Sequence, residues 1–174
     1  MKRLLVRLHK SPALTVRRMG VKSDRLVYLI VACKRQRYRW GRSCVVYVGT
    51  TRSGLGRIAA SAAYRAKKVL SWLGVRQFEV RVVTCQKKPG VRTWRLLERA
   101  LLLTFLKKYG DPPRCNQHGK GIRERDEFAY FRRDRLERIL SALEGSPAST
   151  GSLQSGAAGR RCRPRRKAAR LTSR

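Results

Sequence analysis

Apolar and polar positions alternate in blocks that outline a small α/β domain. Residues 25–32 (RLVYLIVA) are β-branched and aromatic and bounded by charge, which reads as a buried strand. Residues 44–48 (CVVYV) read as a second strand, with the basic stretch 34–43 (KRQRYRWGRS) as the long connection of a hairpin. Residues 50–53 supply helix-capping side chains. Leu55, Ile58, Ala59, Ala62, Ala66, Val69, Leu70 and Leu73 then recur at helical spacing as one apolar stripe. The opposite face carries Arg57, Ser61, Tyr64, Arg65 and Lys68. Residues 77–85 alternate Phe78, Val80 and Val82 against Glu79 and Arg81, a half-buried strand broken by Lys88-Pro89-Gly90. The spacing predicts a second helix over 91–108, stopped by Gly110 and Asp111-Pro112-Pro113. A last helix fits 132–143, with Leu136, Ile139, Leu140 and Leu143 inward. The order β-β-α-β-α, then a loop and a helix, predicts a small three-stranded mixed or antiparallel sheet flanked by helices.

Charge changes the picture more than composition does. Of 174 residues, 43 are Lys or Arg and 10 are Asp or Glu, a formal charge of +33. Self-repulsion of that size opposes a compact state unless a polyanion neutralises it, so nucleic acid is the expected partner ahead of an anionic membrane. Arg outnumbers Lys by 31 to 12, and guanidinium forks suit phosphate. A hydrophobic content of 42% provides for a core and excludes wholesale disorder. No apolar run approaches the roughly 20 residues of a membrane span. The start MKRLLVRL is interrupted by charge, unlike a signal peptide. Five cysteines, an odd number without paired short spacing, read as reduced thiols in an intracellular protein of cytoplasm, nucleoid or nucleus. An Arg-rich organelle-targeting start is the alternative reading of residues 1–24, which otherwise form a basic arm. Residues 145–174 turn Ser-, Gly- and Ala-rich and then Arg-rich, a flexible tail whose Arg161, Arg165 and Arg166 suit a polyanion.

Four residues carry candidate chemistry. Between residues 25 and 110 the only acids are Glu79 and Glu98. Glu98 sits among Trp94, Leu101 and Leu102 on or beside the core-facing stripe of its helix, where a carboxylate needs a cation or several hydrogen bonds. Two readings stand: an ion pair with Arg95 or another nearby Arg, or a ligand for a hard divalent cation. Arg57 opens the polar face of the first helix and is either solvated or a phosphate clamp. Tyr28 and Tyr47 lie inside predicted strands, as packed aromatics or as hydroxyls brought together across antiparallel neighbours. Arg35, Arg37, Arg39, Arg42, Arg65 and Lys68 suggest a phosphate-tracking surface around such a site. Tyr38 and Trp40 either stack on bases there or cap the hairpin core. Cys115 and His118 have half the ligand set of a zinc site, whose other half would be distant Cys33, Cys44 or Cys162.

Leu26-Val27-Tyr28, then Tyr47-Val48-Gly49, then Arg57, Glu98 and Asn116, in this order and spacing, resemble the GIY-YIG nuclease domain over residues 25–120. Residues 121–144, beyond the matched span, are expected to be a C-terminal helical extension. The resemblance implies divalent-metal-dependent hydrolysis of phosphodiester bonds in DNA. Glu98 would hold one Mg²⁺ or Mn²⁺. Tyr28 would act as general base or water-orienting group with Tyr47 beside it, its phenol made more acidic by the surrounding Arg residues. Arg57 would clamp the phosphate, and Asn116 would fix a loop. The chain departs from the family pattern at Leu26, where the first motif begins with Gly. It also departs at Ser61, where members often carry His or Tyr, and Tyr64 is the expected substitute. The alternative is a non-catalytic nucleic-acid-binding protein of the same fold, RNA- or ribosome-associated.

Overall fold

The computed structural model describes residues 25–116 and 122–144. The basic arm 1–24, His118 and the basic tail with Arg161, Arg165 and Arg166 lie outside the described residues. The elements are β1 (Leu26–Tyr38), β2 (Gly41–Thr51), α1 (Gly54–Lys67), a π-helical turn (Lys68–Trp72) continuing α1, β3 (Phe78–Val83), α2 (Thr93–Tyr109), a single turn α3 (Glu127–Tyr130) and α4 (Arg133–Glu144). The sheet runs β2-β1-β3 and every pair is antiparallel.

The central strand decides the layering. β1 is paired on both edges and buried on both alternations from Leu26 to Ala32, so helices cover both of its faces. Leu26, Tyr28, Ile30 and Ala32 face α1 and the π turn; Val27, Leu29 and Val31 join the core beneath α2 and α4. Ile30 stands opposite Tyr47 and Val31 opposite Val45, so Val46 is an extra residue on β2. The carbonyl of Val46 accepts the Cys115 amide at 2.8 Å, which lays the segment after α2 along the open edge of β2.

The basic stretch between the first two strands is not a loop. Gln36 pairs with Ser43, Arg37 with Arg42 and Tyr38 with Gly41, leaving Arg39-Trp40 as the turn. Its charge pattern hid the strand, and tertiary anchors stabilise it. Tyr38 is buried; its hydroxyl donates to the Val45 carbonyl at 2.7 Å, and its ring stands edge-on to Phe105. The turn is fastened to the end of α2. The Trp40 amide donates to the Tyr109 carbonyl at 3.0 Å and the Arg39 amide to Asp111 Oδ2 at 2.8 Å. Gly110 adopts a left-handed φ of +77°, and a Cβ there would lie 2.7 Å from the Trp40 ring.

Helix α4 is built into this core. Leu136 and Leu140 share the cluster of Leu29, Leu101 and Phe105. The Glu144 carboxylate accepts from the Ser43 hydroxyl, the Cys44 amide and the Tyr109 hydroxyl. At the start of α3, Glu127 is fully buried, with Arg99 Nε at 2.5 Å and the Arg125 amide at 2.7 Å. Burial alone would raise its pKa; the Arg125 amide and the Arg99 guanidinium outweigh it and hold the carboxyl below the usual range. Among the described residues no helix is long and apolar enough to cross a membrane. Arg99→Ala leaves the Glu127 charge buried without its cation and is expected to cost about 3 kcal/mol, read as a lowered urea midpoint.

Candidate functional site

The two phenols meet because of strand register. Tyr28 lies opposite Gly49 and Ile30 opposite Tyr47, so Tyr28 and Tyr47 share one face as diagonal neighbours. Their ring centroids are 5.8 Å apart. Gly49 makes this possible: a Cβ there would stand 2.5 Å from the Tyr47 hydroxyl and 2.6 Å from a ring carbon. The Tyr47 ring folds back over its own strand into space that no other residue leaves. Val48 turns both backbone groups to the outer edge of β2, where the Asn116 amide takes both, accepting from the amide at 2.9 Å and donating to the carbonyl at 2.7 Å.

Helix α1 supplies the partners. The Tyr28 hydroxyl, 3% exposed with its residue, donates to Ser61 Oγ at 2.6 Å. Arg65 Nη1 also donates to Ser61 Oγ, at 2.7 Å, and the Arg65 guanidinium lies 3.8 Å from the Tyr47 ring centroid. A tyrosine, a serine, an arginine and a second tyrosine thus form one closed chain. The buried face of α1 therefore runs through Gly54, Ile58 and Ser61, while Ala59 is exposed. Ser61, expected on the solvent face, is inside because Tyr28 needs an acceptor there. The Ser53 hydroxyl at the N-cap makes no capping bond; the Ser53 amide donates to Thr51 Oγ1 at 3.0 Å. Leu26, where the resemblance expects glycine, is fully buried in the cluster of Tyr28 and Ile58.

Glu98 approaches from α2. Its carboxyl is pushed up to about 7, chiefly by burial, while Arg95 and Arg99 pull it down from a distance. Among the described residues it forms no hydrogen bond or ion pair; the Arg99 guanidinium is committed to Glu127 and the Arg123 carbonyl. The ion-pair reading of Glu98 therefore fails. Its charge reaches Tyr47, whose phenol is raised to about 12 by burial, by Tyr28 and by Glu98 against the pull of Arg65. At Tyr47 loss of solvent outweighs the stacked guanidinium.

The remaining candidates divide. Arg57 is exposed, without a bonded partner among the described residues, one helical turn before Ser61 on the same strip of α1. Tyr64 is 83% exposed and is not brought to the phenol pair. Arg35, Arg37, Arg39 and Arg42 are exposed along the hairpin. They do not ring the phenols: Arg37 is nine residues from Tyr28, about 30 Å along a strand. Tyr38 belongs to the core, whereas Trp40 is 64% exposed. Arg65 and Lys68 are half-buried, and Arg65 serves the phenols rather than an open surface. Cys115 is buried, and among the described residues no three His, Cys, Asp or Glu side chains gather as a metal cluster. A single carboxylate suits Mg²⁺ or Mn²⁺, which complete their shells with water and phosphate oxygen, and does not suit zinc. Sequence reasoning missed Ser61 as the acceptor and Arg65 as the cation on Tyr47. Their spacing with Arg57, four residues apart each, is the signal that marks them. Comparison with family models, with curated proteins and with solved structures returns no match for this chain.

Gly49→Ala is expected to dislodge the Tyr47 ring and destabilise the fold by about 1–3 kcal/mol, read in urea melts, with near-ultraviolet circular dichroism reporting the displaced tyrosine. Glu98 gives a pH signature. Its folded carboxyl keeps a proton to about pH 7 and the unfolded one releases it near 4.5, so the folded state binds more protons in that window. Stability from this group falls as pH rises through the window. Glu98→Gln is therefore expected to be more stable than wild type at pH 8 by about 2 kcal/mol. The gap should close near pH 4.5, as urea midpoints in metal-free buffer would show.

Proposed function

We propose that this chain is a divalent-metal-dependent endonuclease of the GIY-YIG type, hydrolysing phosphodiester bonds in DNA. The observation that carries this reading is Glu98: a carboxylate short of solvent, without a bonded partner among the described residues, whose charge is felt by one of two apposed phenols. A structural carboxylate would be expected to keep an arginine, as Glu127 does.

The roles follow from the contacts. Glu98 would hold Mg²⁺ or Mn²⁺, and the ion when bound supplies neutralising charge at the scissile phosphate and at the leaving oxygen. The Tyr28 hydroxyl donates its hydrogen bond to Ser61, so its oxygen lone pairs are left to accept from, and so orient, an attacking water. Tyr47, kept neutral by its raised pKa, is a hydrogen-bond donor to an anionic oxygen rather than a base. Arg57, free of protein partners among the described residues, clamps the phosphate and opposes the charge that develops there. The net charge of +33 holds the polyanion and makes binding strongly salt-dependent.

One observation favours a second reading, a non-catalytic nucleic-acid-binding protein. Ser61 occupies the Tyr28 hydroxyl and does not titrate near neutral pH, so Tyr28 is not bonded to a side chain that readily takes its proton. Supercoiled plasmid incubated with Mg²⁺ or with EDTA separates the two. Metal-dependent nicking is expected in wild type, reduced by at least about 100-fold in Glu98→Ala and in Arg57→Ala. Equal cleavage by wild type and Glu98→Ala removes the enzyme reading, and binding without cleavage selects the second.

A further inference from the structure

Two large aromatic rings stand in solvent on the helix beside the phenol pair, and the site described above uses neither. Tyr64 is 83% exposed and Trp72 is 72% exposed. Each has a cation at its ring: the Arg65 guanidinium lies 5.6 Å from the Tyr64 centroid and the Lys68 ammonium 5.9 Å from that of Trp72. Lys68 lies midway, four residues from each ring. In an uninterrupted α-helix a residue eight positions on is turned about 80° past the first. Here the helix changes winding: the Leu73 amide donates to the Lys68 carbonyl at 3.2 Å, closing a ring one residue wider than an α turn. The wider turn winds more slowly and takes back part of that drift, drawing Trp72 toward the line of Tyr64. Val69, fully buried in the cluster of Ile30 and Val46, keeps the turn seated on the sheet. From Gly54 to Trp72 the element carries Arg57, Arg65, Lys67 and Lys68 and no acid.

We propose that Tyr64, Lys68 and Trp72 form a stacking rail for an unpaired nucleic-acid strand, so that the preferred substrate carries a single-stranded segment beside the site. The inference rests on the nucleic-acid reading and deepens it. Stacking needs open base faces, which a blunt duplex keeps inside its own stack, whereas a single strand presents them with its phosphates alongside. At about 1.5 Å per residue the rings are some 12 Å apart along the helix, room for about three nucleotide steps with Lys68 between them.

The test measures anisotropy with a labelled oligothymidylate of about 12 nucleotides and a blunt duplex of the same length at one salt concentration. Tyr64→Ala and Trp72→Ala are each expected to weaken single-strand binding about tenfold and leave the duplex within about twofold, with Trp72→Phe retaining most of the affinity. In a Trp40→Phe background the oligonucleotide should quench tryptophan emission, and adding Trp72→Phe should abolish the quenching. Equal loss on both nucleic acids, or no loss on either, overturns the rail. Wild type that binds neither nucleic acid but binds phosphatidylglycerol vesicles with a blue shift of Trp72 overturns the nucleic-acid reading as well. Wild type that binds and nicks DNA, with both alanine variants unchanged, overturns the rail alone.

Discussion

A strand buried on both faces and paired on both edges leaves a polar side chain no route to water. β1 imposes that condition from Val27 to Val31, and Tyr28 is the polar residue inside it. Its hydroxyl must be satisfied within the protein, at a cost of about 1–3 kcal/mol otherwise. Ser61 provides the acceptor, and the rotation of α1 follows. With Ser61 turned inward, Arg65 comes to lie on the Tyr47 ring and Tyr64 is turned out. The candidate site and the exposed face beside it are both consequences of one buried phenol.

The strongly periodic parts of the chain were legible from sequence. Residues 25–32 are apolar on both alternations, which only a central strand requires, and α2 and α4 fall within two residues of their expected bounds. The distal hairpin was not legible. Lys34, Arg35 and Arg37 alternate with little to bury, and what makes them a strand is remote: Tyr38 under Phe105 and Glu144 receiving Ser43 and Cys44. The face of α1 was misread for a related reason. A stripe of alanines has small burial to offer, so one hydrogen bond to Tyr28 outweighs the hydrophobic preference of Ala59. Gly49 was read as part of a motif, while the reason it must be glycine appears only when the Tyr47 ring is seen lying over it.

Ser61 also reshapes the chemistry that the resemblance implies. A serine hydroxyl passes a hydrogen bond along but does not store a proton near neutral pH, and Arg65 beyond it only donates. The Tyr28 proton therefore has no resting place further along this chain. Under the proposed function that favours orientation of water by Tyr28 over outright removal of its proton.

The disposition of the acids argues for a site independently of any motif. A chain of charge +33 has ten acids to place. Among the described residues Glu79 pairs with Arg81, Glu124 with Arg133, Glu127 with Arg99, and Asp134 with Arg132 and Arg138. Asp111 holds the hairpin turn and Glu144 ties α4 to β2. Asp126 and Glu137 are exposed, where water serves them. Glu98 alone is withdrawn from solvent without a bonded partner, in a protein with arginine to spare. Arg95 and Arg99 lower it without bonding to it, and Arg99 is held by Glu127 and the Arg123 carbonyl. A carboxylate left unbonded and raised to about 7 is one that a dication would stabilise by displacing the proton. The same neutralisation would remove the negative neighbour that helps to hold the Tyr47 phenol high.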